Sequence, residues 1–249
     1  MDLMEKIKLQ KYFSDCGIMS RRAAEKEISL GLVKVNGEVA KLGDRVTPHE
    51  DVVEYKGKTV IPPNREKIYV MLNKPRGYVT TTSDEKGRAD VTSLVDVGAR
   101  IYPVGRLDMD SDGLLLLTND GELTNRLTHP RHEIPKIYHV TVSGQVDGET
   151  LSALSSEMTI DGYEILPVKT EIISSEKTST VLRMTLFEGR NRQIRKMCDK
   201  CGLTVTRLSR VAIGSIELGG LRTGSWRYLT KDEVSYLYHS NSTKGKDNA

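Results

Sequence analysis

The stretch Gly105-Arg106-Leu107-Asp108-Met109-Asp110-Ser111-Asp112-Gly113-Leu114-Leu115-Leu116-Leu117-Thr118-Asn119-Asp120-Gly121 runs from a polar loop through an apolar run into a turn. The leucine run, closed by Asn119-Asp120-Gly121, reads as a buried strand. Loops held by rigid strands are where chemistry tends to sit. Arg106 and Asp108 are two apart, so on an extended backbone both side chains project to one side, and a carboxylate held beside a guanidinium stays ionised. Such an aspartate can act as nucleophile or base.

Two other readings compete. Asp108-x-Asp110-x-Asp112-Gly113 matches the opening of a calcium loop, which needs oxygen ligands at alternate positions and Gly at the sixth. The match ends at the twelfth position, where a bidentate Glu is required and Asn119 stands; Tyr102-Pro103-Val104 also reads as strand or turn where a calcium hand needs a helix. The other alternative is a surface loop whose aspartates cap turns.

The chain has 249 residues and 37% hydrophobic content, enough for a small domain and a medium one. The net charge of +3 is mild, but Lys and Arg are concentrated in particular segments, as a polyanionic partner such as RNA requires. No apolar run approaches a membrane span and the N-terminus lacks the apolar core of a signal peptide, so the expectation is a soluble, cytoplasmic protein. Three cysteines argue against a disulfide framework. Cys198-x-x-Cys201 lacks the second pair that a structural zinc needs, and nothing in the sequence ties His129 and His132 to it; packed, reduced thiols are expected and no metal.

Leu9, Tyr12, Phe13 and Cys16 recur at helical spacing before Gly17, and Ser20 can cap a second helix that Gly31 closes. Val33-Lys34-Val35, Asn36-Gly37 and Glu38-Val39 read as a hairpin. Arg21 and Arg22 open the second helix at its positive dipole end, where phosphate is attracted; an ordinary solvated basic face is the alternative. These residues, Leu9-Gln10-Lys11-Tyr12 through Asn36-Gly37, resemble the small RNA-binding module named after a ribosomal small-subunit protein. The resemblance covers about residues 5 to 62 and implies RNA contacts by Arg21, Arg22 and Lys34. Ile61-Pro62-Pro63-Asn64 then reads as a stiff linker.

Further on, Ile68 to Leu72 is a buried-strand run that breaks at Asn73-Lys74-Pro75-Arg76-Gly77 into a basic loop. A short helix carries Leu123 and Leu127, Tyr138 to Val142 alternates as a strand, and Asp147 starts a helix with Leu151 and Leu154. Val181 to Phe187 is a strand and Gln193 to Cys201 a helix closed by Gly202. Separate strands follow at Val205 to Leu208, Ile213 to Leu218 and Trp226 to Leu229. Thr230 with Glu233 forms a capping box for a last helix. Asn241 to Ala249 reads as a disordered tail. The elements do not alternate as βαβ units, so the expected class is α+β: the RNA-binding module (1–62), a catalytic domain (63–240) with a mixed, largely antiparallel sheet and flanking helices, and a tail (241–249).

Arg190-Asn191-Arg192-Gln193-Ile194-Arg195-Lys196 concentrates positive charge where a strand turns into a helix, a place suited to phosphate or carboxylate; a solvated helix start is again the alternative. Gly105-Arg106-Leu107-Asp108, Lys136-Ile137-Tyr138 and Glu188-Gly189-Arg190-Asn191-Arg192-Gln193-Ile194-Arg195-Lys196-Met197, in this order behind an RNA-binding module, resemble the three motifs of the ribosomal small-subunit pseudouridine synthase A family. The stretch Leu114 to Leu123 with Leu127-Thr128-His129-Pro130 most resembles members acting on the large subunit. Asp112 departs from the Glu usual before the Gly.

The resemblance implies that Asp108 is the catalytic aspartate, Tyr138 the active-site tyrosine, and Arg195 the arginine that pairs with the aspartate; Arg106 is a second candidate for keeping Asp108 charged. It implies a uridine isomerase needing no cofactor, a monomer whose partner is ribosomal RNA or an assembling ribosomal particle, and a target in 23S rRNA. Modification of 16S rRNA, or a non-catalytic assembly factor with the same fold, are the alternatives. Lys74, Arg76, Arg106, Arg190, Arg192 and Lys196 are the expected RNA contacts of the catalytic domain.

Overall fold

The computed structural model describes residues 5–61, 66–82, 84–128 and 134–239. The proline linker after Ile61, His129, Pro130, His132 and the polar tail lie outside the described residues. The chain divides into two compact units, one of Met1–Lys67 with Gly98–Arg100 and Asn119–Gly121, the other of Ile68–Val97, Ile101–Thr118 and Glu122–Ala249.

The first unit contains β1 (Ile7–Lys8), α1 (Leu9–Asp15), α2 (Arg21–Ser29), β2 (Val33–Val35), β3 (Glu38–Val39), β4 (Arg45–Val46), β5 (Val53–Tyr55) and β6 (Lys58–Val60). The Ser20 hydroxyl accepts the Ala23 N–H at 3.2 Å and so caps α2. Gly17 and Gly31, at φ +69° and +70°, stop the two helices in the left-handed conformation that costs glycine nothing. Asn36 and Gly37, both at positive φ, make the expected hairpin between β2 and β3. Leu9, Tyr12, Phe13, Ala24, Ile28 and Val33 form its core, and the Tyr12 hydroxyl donates to Val60 O at 2.8 Å.

The second unit contains β7 (Tyr69–Lys74), a 3₁₀ turn (Val91–Leu94), β8 (Tyr102–Val104), β9 (Asp112–Thr118), α3 (Gly121–Thr128), β10 (Lys136–Ser143), α4 (Gly148–Ser155), β11 (Met158–Ile160), β12 (Tyr163–Ile165), β13 (Lys169–Ser175), β14 (Ser179–Leu186), α5 (Gln193–Lys200), β15 (Val205–Ile213), β16 (Ile216–Glu217), β17 (Trp226–Tyr228) and α6 (Lys231–His239). A mixed sheet of nine strands carries it, in the order β13-β14-β10-β15-β9-β7-β17, with β16 beside β15 and β8 beside β9. Its pairings are antiparallel except for β15 with β9, which is parallel and two residue pairs long.

All of β9 is buried because its two faces feed different cores. Leu115 and Leu117 pack with Leu154 of α4 and Ile194, Met197 and Cys198 of α5; Leu114 and Leu116 pack with Leu123 and Leu127 of α3 and Leu237 of α6. This is why the leucines run unbroken, each burial contributing about 1.5–3 kcal/mol. The Thr230–Glu233 capping box forms as expected, Glu233 N–H to Thr230 Oγ1 at 3.2 Å and Thr230 N–H to Glu233 Oε2 at 2.8 Å.

Two expectations need correction. Val205 to Ile213 is one nine-residue strand where a break after Leu208 was expected, since the polar Ser209 and Arg210 are both tied to β9, the Ser209 hydroxyl to Asp112 and Arg210 Nε to Leu114 O. The strand from Tyr69 also runs on through Asn73 and Lys74, both buried, so the basic loop begins only at Pro75. No helix of the described residues is long and apolar enough to cross a membrane.

Candidate active site

One row of paired residues organises the site. Tyr138 of β10 lies opposite Arg210 of β15, Arg210 pairs with Gly113 of β9, and Gly113 pairs with Lys74 of β7. Four separate segments are thereby fixed side by side. The register of β10 on β15 shifts between Ile137 and Tyr138, an irregularity of the kind that re-aims a side chain beside a site. Gly113 is needed here: it sits at φ +107°, and a Cβ on it would lie 2.7 Å from Arg210 N and closer still to Arg210 O.

The Asp108 loop is held from beneath. Lys74 is fully buried, and its ammonium donates to Asp108 O at 3.0 Å, Ser111 O at 2.9 Å and Pro75 O at 3.1 Å. Burial lowers its pKa to about 8, opposed by the charges of Asp112, Asp108 and Asp110. Gly77 N–H donates to Met109 O at 2.8 Å, and Thr80 Oγ1 donates to Leu107 O at 2.6 Å while accepting Leu107 N–H at 3.2 Å. Lys74 therefore cannot touch RNA as expected; it positions the loop.

The three loop aspartates diverge. Asp108 faces an open pocket of about 350 Å³, with Tyr138, Arg106, Arg190, Arg192 and Ile194 on its walls. Asp112 turns into the fold, accepting from Ser209 Oγ, Arg76 Nε at 3.3 Å and Arg207 Nε at 3.2 Å. Asp110 receives both Arg192 Nη atoms, at 3.2 and 3.1 Å. Burial works against its charge, but Arg192 and Arg195 outweigh that and lower its pKa. Among the described residues no three His, Cys, Asp or Glu side chains gather as a metal would need.

The arginine opposite Asp108 is Arg192, its Nη1 3.5 Å from Asp108 Oδ2. Arg195, expected in that role, instead reaches Asp110, with Nη2 3.3 Å from Oδ2 and 3.2 Å from the main-chain oxygen, and gives Nη1 to Val205 O at 3.3 Å. The reason is the backbone at Arg192, the N-cap of α5, whose φ of +51° swings that residue out of the helical path toward the loop. A left-handed non-glycine residue is a strain of about 1–3 kcal/mol, and such strain gathers at functional sites. Arg106 is exposed at the pocket lip and forms no ion pair with Asp108.

Of the remaining expected RNA contacts, Arg21, Arg22 and Lys34 are exposed on the first unit. Arg76 is exposed but engaged with Asp112 and with Thr206 O at 3.1 Å. Arg190 stacks over the Tyr163 ring at 4.6 Å, and Lys196 is spent on Asp161. Ser111, unremarked in the sequence, has a buried hydroxyl with no partner among the described residues and lines the Asp108 pocket. Cys198 is a packed thiol whose burial pushes its pKa up to about 12; Cys16 is buried and Cys201 partly so.

A carboxylate, a tyrosine ring and a guanidinium gather around one open pocket beside this sheet. The RNA pseudouridylate synthase family profile matches residues 68–200 and the S4 domain matches residues 8–53, and the chain belongs to the RNA pseudouridylate synthase family. An uncharacterized RNA pseudouridine synthase of Aquifex aeolicus (strain VF5) is 42% identical over 94% of this chain and 95% of that protein. The ribosomal large subunit pseudouridine synthase B of Bacillus subtilis (strain 168) is 42% identical over 92% and 95%, and a dual-specificity RNA pseudouridine synthase of Escherichia coli (strain K12) is 39% identical over 93% and 78%. A crystal structure of a pseudouridylate synthase superposes with a TM-score of 0.67 at 31% identity, over 93% of this chain and 99% of that one. The family resemblance of the three motifs and the α+β expectation are thus borne out, and the chain is an enzyme acting on RNA.

Proposed function

We propose that the chain isomerises one specific uridine of large-subunit ribosomal RNA, with Asp108 as the catalytic carboxylate. The observation that carries this reading is the convergence of Asp108, Tyr138 and Arg192 on one pocket. In the reaction the N1–C1′ bond breaks, the uracil turns, C5 bonds to C1′ and the C5 proton leaves for N1. Bonds are redistributed within one nucleotide, so no electrons are lost and no cofactor is required. Asp108 supplies a nucleophile or base at the pocket wall. Tyr138 offers its ring to a base flipped out of the RNA and its hydroxyl toward the C5 proton. Arg192 takes the place opposite Asp108, and Arg195 acts one step back by fixing Asp110 and the loop main chain.

Residues 1 to 62 grip structured RNA through Arg21, Arg22 and Lys34, residues 63 to 240 carry the chemistry, and the enzyme works as a cytoplasmic monomer on ribosomal RNA or an assembling particle. The ribosomal target is supported by the likeness to the Bacillus subtilis protein and by the S4 domain. The Escherichia coli relative's dual specificity favours a second reading, in which another RNA is also a substrate.

The test is to incubate the protein with unmodified large-subunit, small-subunit and other RNA transcripts separately and to map pseudouridine by position. Asp108→Asn should reduce turnover by more than about a thousandfold, the scale of losing an essential nucleophile, with RNA affinity kept. Modification of small-subunit RNA alone would overturn the large-subunit assignment. Binding by the wild-type protein without product on any transcript would favour an assembly factor.

A further inference from the structure

A second cavity, about 140 Å³ in volume, adjoins the Asp108 pocket and shares Gly105, Arg106, Tyr138 and Gly189 with it. Its further walls are Val104, Leu116, Leu127 and Ile213 with the polar Thr128, and the charged side chains on them are Arg106, Lys136 and Arg210. Among the described residues no carboxylate lines it. Arg210 is 3% exposed; its Nε donates to Leu114 O at 2.7 Å, while Nη2 is buried with no hydrogen-bond partner among the described residues. Lys136 gives its ammonium to Ile134 O at 3.2 Å and forms no ion pair among the described residues. Burial, with the charge of Arg210 added, lowers the Lys136 pKa to about 8.

A buried guanidinium beside a half-buried ammonium, with no carboxylate lining their cavity, is costly, and a donor left open on the guanidinium points to a missing acceptor. A guanidinium fork beside an ammonium matches the oxygens of a phosphate. We infer that this cavity is a phosphate subsite, and that its occupant is a phosphodiester of the substrate strand flanking the target uridine. The inference rests on the reading of the Asp108 pocket as the uridine site: a nucleotide seated there carries phosphates on both sides, and the second cavity opens on the same Gly105–Arg106 and Tyr138 wall. Anchoring the backbone behind Tyr138 would hold the ribose in place while the detached uracil turns. Free inorganic phosphate offers the same chemistry, and the experiment separates the two sources.

The experiment uses the full-length protein and a ribosomal RNA fragment that the wild-type enzyme modifies or, failing turnover on any fragment, one that it binds. The phosphodiesters 5′ and 3′ of the bound uridine are replaced, one at a time, by neutral methylphosphonate. One replacement should weaken binding roughly tenfold to a hundredfold, the scale of a lost charge-assisted bond. Lys136→Met should weaken binding of the unmodified RNA similarly, lower the salt slope by roughly 0.7–0.9, and make the enzyme indifferent to that same replacement. Its melting temperature should hold or rise, because the substitution removes a buried charge; a merely structural lysine would lower it. Arg210→Gln is the second variant, read in the same way if it folds.

If both methylphosphonates bind as well as the parent RNA, or the Lys136→Met slope is unchanged, the subsite is overturned. Competition by millimolar inorganic phosphate with no methylphosphonate effect would assign the cavity to a free anion and overturn the substrate phosphodiester. Absence of turnover by the wild-type protein bears on the proposed reaction alone, since these binding measurements do not need it.

Discussion

Replacing Gly113 by alanine tests how the site is joined. Two costs arise there and can be separated. At φ +107° any Cβ is strained, a cost of about 1–2 kcal/mol by analogy with the left-handed helix. The added carbon also lies 2.7 Å from Arg210 N and 3.0 Å from Arg210 C, atoms of backbone that cannot rotate away as a side chain would. Overpacking of this kind costs about 1–3 kcal/mol, so the sum is about 2–5 kcal/mol. At about 2–4 °C per kcal/mol for a domain of this size, the melting temperature of the second unit should fall by about 4–20 °C. Two controls isolate the terms. Gly144, at φ +80° with nothing within 4 Å of a Cβ, should show the conformational cost alone. Gly148 opens α4 at an ordinary φ in open space, and Gly148→Ala should be neutral or stabilise by up to about 1 kcal/mol. Calorimetry of the three variants, with pseudouridine formation measured in parallel, checks the series. Gly113→Ala melting no lower than Gly144→Ala would refute the close approach of β9 to β15.

Lys74→Met should lower kcat on the order of a hundredfold, the effect of a shift of about 1 Å in a catalytic group, with RNA affinity retained; a wild-type kcat would show that the loop holds without it. Stability should rise with pH most steeply between about 8 and 9, because folded Lys74 and Lys136 both titrate near 8 while their unfolded value is 10.5, so the unfolded chain binds more protons there; above 9 the thiol of Cys198, raised to about 12 from 9.0, works against the rise. Denaturant titrations of the wild type and of Lys74→Met with Lys136→Met should show the slope and its loss; equal profiles would contradict the burial of both amines. Arg21→Gln with Arg22→Gln should weaken binding to ribosomal RNA and reduce the salt slope by roughly one for each phosphate no longer neutralised, while an unchanged slope would take those residues out of the interface.

The Asp108 loop and its strand were legible because their signals are local: a polar run, then leucines buried on both faces, then a turn. The hairpin at Asn36-Gly37 and the Thr230–Glu233 box were legible for the same reason. Lys74 was not. Pro75 follows it, so it read as the start of a basic loop, and its burial depends on carbonyl groups 34 and 37 residues away. The charge concentrated from Arg190 to Lys196 was visible in the sequence, but which arginine meets Asp108 turns on a left-handed backbone at Arg192 that no periodicity reveals. Ser209 and Arg210 interrupt an apolar strand pattern because their partners, Asp112 and Leu114 O, belong to a distant loop and strand. Arg210, central to the row, carried no motif of its own.

The parallel joint between β9 and β15 brings together residues 97 positions apart, Asp112 and Ser209, through two residue pairs. Closing so long a loop costs chain entropy before it returns any stabilisation, whereas the β13–β14 hairpin demands far less and the β7–β9 pairing, from Lys74 with Gly113 to Tyr69 with Thr118, closes a loop about half as long. Strand pairing on either side of the joint can therefore be in place while Tyr138 and Arg210 are still apart from Gly113 and Lys74. Pseudouridine formation then becomes a reporter of chain maturation: it should rise with the slowest step of refolding, after the circular dichroism of the strands has already recovered.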